Sequence, residues 1–243
     1  MSKSPLKYFL AIPVLLFHIA GLAQDSTGNQ KQIWPELDLY YKISPRFRFY
    51  SQISGTRLNS SYTDGAFGAY LDYFSTPWRN RRLDRQLNDT SLGYYLWFRI
   101  GYSYSNTPPS DGGNKDEQII ITQADSRYYL PGQIMMTLRN RFDWRFINSD
   151  FQPRYRPRLR FDKDVKSDYM TFDAYMYGEY YFYLNDNSQN RFRFCIGAEI
   201  RVLRFMNFET YYLYQFPNSP HVASVNAIGL GLLFYLRSKH ASD

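Results

Sequence analysis

Cysteine is almost absent from this 243-residue chain, where Cys195 stands alone. One cysteine cannot form an intramolecular disulfide, so stability must come from backbone pairing and packing, and Cys195 reads as a small interior residue. Histidine is nearly as scarce, at three residues, and no HExxH, paired CxxC or EF-hand loop occurs. We therefore expect no metal and no cofactor. Long apolar runs are missing as well: mean hydropathy is −0.51, and only the N-terminal stretch approaches the roughly 20 residues a helix needs to cross a bilayer. That excludes a helical membrane protein. Convincing helical periodicity is also lacking throughout the rest of the chain.

What the chain has in excess is aromatic residues, 19% in all, with 24 Tyr and 19 Phe. Such a composition favours strands and is incompatible with a charged linker. The formal charge is +7. At the N-terminus Lys3 and Lys7 precede a short apolar core, Tyr8 to Phe17, and Gly21-Leu22-Ala23 supplies the small residues a signal peptidase reads. We expect residues 1–23 to be a signal peptide cleaved before Gln24, and residues 24–243 to form one exported domain. No cysteine follows the cleavage site, which argues against a lipid anchor. Losing Lys3 and Lys7 leaves the mature chain basic.

A period of two runs through nearly all of that domain. In 192–202, Phe192, Phe194, Ile196, Ala198, Ile200 and Val202 share one face, and Arg193, Cys195, Gly197, Glu199 and Arg201 the other. In 133–146, Ile134, Met136, Leu138, Phe142, Trp144 and Phe146 oppose Arg139, Arg141, Asp143 and Arg145. Segment 154–162 puts Arg154, Arg156, Arg158, Arg160 and Asp162 on one side, an alternation that a helix would scatter. In 169–184, Asp173, Tyr175, Tyr177, Glu179, Tyr181 and Tyr183 alternate with apolar residues. Seven further strands are expected at 33–43, 47–57, 66–74, 92–105, 117–130, 206–215 and 222–236, punctuated by Ser44-Pro45, Pro131-Gly132 and Asn185-Asp186-Asn187.

Strands of this length, apolar on one face and charged on the other, match a transmembrane barrel, whose closure leaves no unpaired edge in hydrocarbon. A soluble sandwich would use strands of about 5 to 6 residues. The expected fold is all-β: a transmembrane antiparallel up-and-down β-barrel of ten to twelve strands. Eleven segments are readable, yet bacterial barrels usually have an even number. A twelfth strand hidden in 57–91, or a misplaced boundary at Ser44-Pro45, would restore parity. Tyr41, Tyr102, Tyr104, Tyr128, Tyr212 and Tyr214 are candidates for girdles at the membrane-water boundary.

Several short motifs carry a family resemblance: Ile33-Trp34-Pro35-Glu36, Gly55-Thr56-Arg57, Arg139-Asn140-Arg141, and Tyr155-Arg156-Pro157-Arg158 followed by Leu159-Arg160. On these the chain resembles an uncharacterised family of Gram-negative outer-membrane β-barrels, a domain-of-unknown-function family, over almost the whole mature sequence. The resemblance implies a barrel in the cell outer membrane and assigns no activity or site residue.

In such a barrel the charged face lines the lumen. The candidate basic track is Arg139, Arg141, Arg145, Arg156, Arg158, Arg160, Arg193 and Arg201, with Arg48, Arg99 and Arg127 on the same face. Candidate acidic partners are Asp143, Asp162, Asp173, Glu179, Glu199 and Glu209, joined by Glu36, Asp38, Asp72 and Asp125. One reading is a lumen largely filled by ion pairs, in a structural or surface-interaction protein. Another takes the arginine excess over 139–160 as the lining of a small anion-selective channel, similar in arrangement to arginine-lined porins for acidic oligosaccharides. A third is an outer-membrane lipid-modifying enzyme, for which His221 near Ser219 and Ser224 is the only candidate base near a strand end. Expected partners are outer-membrane lipid, the barrel-assembly machinery and a small anionic solute; nucleic acid is not expected, because the arginines form no exposed cluster.

Overall fold

The computed structural model describes residues 29–58, 61–77, 94–107, 115–166, 171–187, 190–217 and 224–238. The proposed signal peptide, His221 and Ser219 fall outside them.

Twelve strands are formed: β1 (Asn29–Lys42), β2 (Phe47–Leu58), β3 (Ser61–Pro77), β4 (Tyr94–Thr107), β5 (Lys115–Leu130), β6 (Ile134–Ile147), β7 (Asp150–Phe151), β8 (Arg154–Lys166), β9 (Thr171–Tyr183), β10 (Arg191–Leu203), β11 (Met206–Pro217) and β12 (Ser224–Arg237). Eleven of them close into a barrel, each paired with its neighbour in sequence except that β6 pairs with β8. The two-residue β7 is an appendage on β6, through Phe146 with Phe151 and Ile147 with Asp150. Every segment of strong alternation is one of the eleven. Most ends lie within a few residues of the expected ones: β3 and β8 run further, to Pro77 and Lys166, whereas β1 and β9 stop one residue short, at Lys42 and Tyr183.

The expectation of an even count and of wholly antiparallel pairing is corrected here. An odd number of up-and-down strands brings the first and last together pointing the same way. β1 and β12 accordingly pair in parallel along their full lengths, from Asn29 opposite Ser224 to Lys42 opposite Arg237. Among the described residues, parity is resolved by the parallel seam. The Ser44-Pro45 turn stands where expected, with the Phe47 amide donating to Ser44 Oγ at 3.1 Å. Residues 78–93 lie outside the described residues.

Two turns use backbone that few L-residues adopt. Gly132 and Gln133 have φ of 79° and 60° between β5 and β6, and Asn148 and Ser149 have φ of 48° and 76° between β6 and β7. The second is a two-residue hairpin of the type in which both central residues are left-handed, matching the twist of the flanking strands. It is tied to β5 reciprocally: the Asp116 amide donates to Asn148 Oδ1 at 3.0 Å, and the Asn148 amide donates to the Asp116 carbonyl at 3.0 Å.

The barrel is inverted relative to a soluble protein. Ile33, Leu37, Ile53, Phe67, Ile100, Ile120, Phe142, Phe194, Ile196 and Leu232 are exposed on its outer wall, whereas the buried set holds more polar and charged residues than apolar ones. Soluble monomers rarely expose apolar patches above a few hundred Å². Here the apolar wall runs around the circumference, since every strand contributes its alternate residues to it.

Candidate functional site

The lumen is the site, and β6, β8 and β9 build its densest part. β6 and β8 pair so that Arg139 stands opposite Arg158 and Arg141 opposite Arg156. Like charges directly across a sheet repel, so this register needs carboxylates between them. β6 supplies one from its own chain and β9 a second. Asp143, 1% exposed, takes contacts from three guanidiniums: Arg141 at 2.5 Å, Arg154 at 2.6 Å and Arg156 at 3.3 Å. Glu179, also 1% exposed, takes Arg156 at 3.0 Å and Arg158 at 3.1 Å. Arg156 thus bridges the two carboxylates and links the three strands into one network.

The remaining track residues are distributed differently. Arg160 pairs with Asp162 at 2.7 Å, Arg145 with Glu117 at 2.5 Å and Arg139 with Asp125 at 3.5 Å. Arg193 has neutral partners, donating to Gln215 Oε1 at 2.8 Å and to the Tyr181 hydroxyl at 2.5 Å. Arg201 is exposed at the rim beside the β10–β11 turn.

Among the predicted acidic residues, Asp143, Asp162 and Glu179 meet arginines. Glu199 accepts from Asn207 Nδ2 at 2.6 Å, and Glu209 from the Tyr175 hydroxyl at 2.6 Å. Asp173 is buried in the lumen, opposite Glu199 in the sheet. A second network lies across the barrel, where Asp72 binds Arg48 at 2.8 Å and Arg99 at 2.6 Å.

Tyrosine fills the space the ion pairs leave. On the lumenal face of β9 the tyrosine rings are covered by guanidiniums: Arg160 lies 3.9 Å from the centroid of Tyr175, Arg158 4.0 Å from Tyr177, and Arg156 4.3 Å from Tyr181. Such stacking adds to the ion pairs and fixes the guanidinium planes. Opposite, Tyr235, Tyr40, Tyr50 and Tyr70 stack in sequence across four adjacent strands, at centroid spacings of 4.8, 4.6 and 4.9 Å. Tyr50 and Tyr70 meet Ile119 and Ile121 of β5 in a small apolar cluster. A second cluster gathers Tyr175, Tyr177, Cys195, Leu213, Val225 and Ala227, and Cys195 is fully buried there as the small interior residue expected. An eleven-stranded barrel is wider than the eight-stranded kind that ordinary side chains just fill, so long side chains such as Arg and Tyr are what can reach its axis.

Sequence reasoning placed Tyr175, Tyr177, Tyr181 and Tyr183 on the polar face but did not see them as packing for the arginines. The signal was their alternation with Asp173 and Glu179. It also missed Glu117, whose partner Arg145 lies 28 positions away. Most of the apparent arginine excess over 139–160 is offset by Glu117, Asp125, Asp162 and Glu179, and only register reveals that. Tyr41, Tyr102, Tyr104, Tyr128 and Tyr212 are exposed on the outer wall, with Tyr214 half-buried.

A family profile described as "Protein of unknown function (DUF2490)" matches residues 31–226. The chain belongs to the DUF2490 family. The match runs from β1 into β12 and so covers nearly the entire barrel of this DUF2490 member, as the resemblance in its short motifs implies. No curated protein and no solved structure matches it. Among the described residues of this DUF2490 barrel, no group of three or more His, Cys, Asp or Glu side chains could hold a metal ion.

Proposed function

We propose that this DUF2490 member is an exported β-barrel of the Gram-negative outer membrane whose lumen is closed by side chains, serving as a structural or surface-interaction element. The observation that carries the reading is the inversion of the barrel: a continuous apolar wall outside, and Asp143, Glu179 and Asp72 buried with their arginines inside. In water that wall would drive aggregation; in a bilayer it is the required surface, with Tyr41 and Tyr128 near one rim and Tyr104 and Tyr214 nearer the other. Outer-membrane lipid and the barrel-assembly machinery are the partners this reading needs.

Against anion passage stands the neutralisation of the track. A guanidinium already bound to a carboxylate and stacked on a ring offers little field to a passing anion, and the ring stacks occupy the bore. The lipid-modifying alternative has no observation in its favour within the described residues.

Two measurements test the proposal. Cell fractionation should recover the mature chain with outer-membrane vesicles, and on a semi-native gel it should migrate differently before and after boiling. Partition of a folded chain into the aqueous phase on detergent phase separation would end the membrane reading. Refolded protein in a planar bilayer should be silent. Steady anion-selective steps that weaken with Arg158→Glu and Arg160→Glu would replace a closed lumen with a channel.

A further inference from the structure

At the end of the barrel where β1 and β12 finish, the lumen opens into a cavity of about 320 Å³ lined by Tyr40, Lys42, Arg48, Arg204, Tyr235 and Arg237, with Phe205 and Leu236 beside them. Three of its cations sit in one row across three strands, because Lys42 is opposite Arg48 on one side and opposite Arg237 on the other. Adjacent strands lie about 4.8 Å apart, so these are neighbouring like charges on one face. Arg204, in the two-residue β10–β11 turn, adds a fourth.

Elsewhere in the lumen the same juxtaposition occurs, at Arg139 with Arg158 and Arg141 with Arg156, and there each guanidinium has a carboxylate partner. Among the described residues, no Asp or Glu lines the cavity. Arg48 is paired with Asp72, which stands opposite it on β3, and lies 4.6 Å over the Tyr40 ring. Arg204 and Arg237 are exposed at the mouth. The floor is aromatic, Tyr40 and Tyr235 being stacked at 4.8 Å with planes 9° apart. The stack continues around the wall at the same level through Tyr50 to Tyr70.

We infer that this vestibule binds a phosphate-bearing anion, held by Arg204 and Arg237 above the Tyr40–Tyr235 floor. Guanidinium forks suit the bidentate geometry of phosphate, and the volume lies at the small end of ligand pockets, enough for a molecule the size of a sugar phosphate. The cations point into the lumen mouth and not to the outer wall, so the phosphate arrives on a water-soluble molecule; a bilayer headgroup is the other source of the same chemistry. The inference concerns the folded barrel and holds in detergent whichever membrane carries it.

The test is a titration of the refolded mature chain in neutral detergent, at fixed ionic strength, with inorganic phosphate, glucose 6-phosphate and glucose. Retention of phosphatidylglycerol is followed separately by native mass spectrometry. Both phosphate compounds should bind and glucose should not, and Arg204→Gln with Arg237→Gln should weaken phosphate at least about tenfold. Both residues are exposed, so the variant should keep the heat-modifiable gel shift of the folded barrel. Lys163→Gln with Lys166→Gln, basic positions on the neighbouring stretch of rim, should leave binding unchanged. Phosphatidylglycerol retained more strongly than soluble phosphate and lost in the Arg204/Arg237 variant would keep the site and move its source to the bilayer. Absence of phosphate and phosphatidylglycerol binding by folded protein, or binding that the arginine variant does not alter, would overturn the inference.

Discussion

Tyr211 of β11 lies across Gly229 of β12 and donates its hydroxyl to Glu36 of β1 at 2.5 Å. A side chain thus crosses an entire intervening strand beside the parallel seam, and it can do so only because Gly229 presents no Cβ. An added Cβ there would stand 2.0 Å from the Tyr211 ring. Gly197 serves Tyr175 in the same way, as that ring passes over β10 to reach Glu209.

Gly229→Ala should therefore lower stability by about 1–3 kcal/mol, the usual cost of overpacking a filled interior. The readout is the temperature at which the folded band disappears on a semi-native gel. Gly65→Ala is the control, since nothing lies within 4 Å of its added Cβ. Equal midpoints for the two variants would mean that Tyr211 does not occupy this position.

Asp143 is the centre of the larger charge network. Asp143→Ala leaves Arg141, Arg154 and Arg156 crowded without their shared carboxylate, and loss of one partner from a buried ion cluster costs about 3–5 kcal/mol. We expect it to be among the most damaging single substitutions in the lumen. Asp150→Ala, at an exposed turn, should change stability by less than about 0.5 kcal/mol. Urea unfolding in detergent micelles measures both.

Ile100 is 57% exposed in the middle of β4. On a soluble protein Ile100→Arg would be nearly neutral. At the bilayer midplane it should cost about 2–4 kcal/mol. Folding yield into phospholipid vesicles should therefore fall sharply for this variant, while Lys166→Arg at the rim folds as wild type. An Ile100→Arg chain that folds into vesicles with unchanged yield and stability would contradict the membrane reading.

The odd strand count carries a topological consequence. With β1 and β12 parallel, Asn29 and Arg237 lie at opposite ends of the barrel. If the barrel spans the outer membrane as proposed, an epitope placed just before residue 29 and one placed after residue 243 should be on opposite faces of it, so antibody added to intact cells should label one and not the other. An even-stranded antiparallel barrel would expose both or neither.

The alternation of residues such as Arg154, Arg156, Arg158 and Arg160 with Tyr155, Pro157, Leu159 and Phe161 determined by itself that the segment is a strand and which face is wet, because a period of two is a local property of extended backbone. The same logic was enough for all eleven wall-forming strands and for the lumenal face of the arginines and carboxylates. Which arginine meets which carboxylate was not legible. Arg145 finds Glu117 and Arg158 finds Glu179 through strand register, which depends on turn lengths and on pairing between distant segments. Closure was equally hidden. No local pattern states that β1 and β12 will meet in parallel, so the odd count looked like an error when it was the architecture. The basic vestibule exists only because that seam sets Lys42 beside Arg237, residues 195 positions apart in the chain. Strand identity and facing belong to the sequence, since they follow from backbone geometry residue by residue; charge pairing, closure and the vestibule belong to the tertiary structure, since they follow from which strands become neighbours.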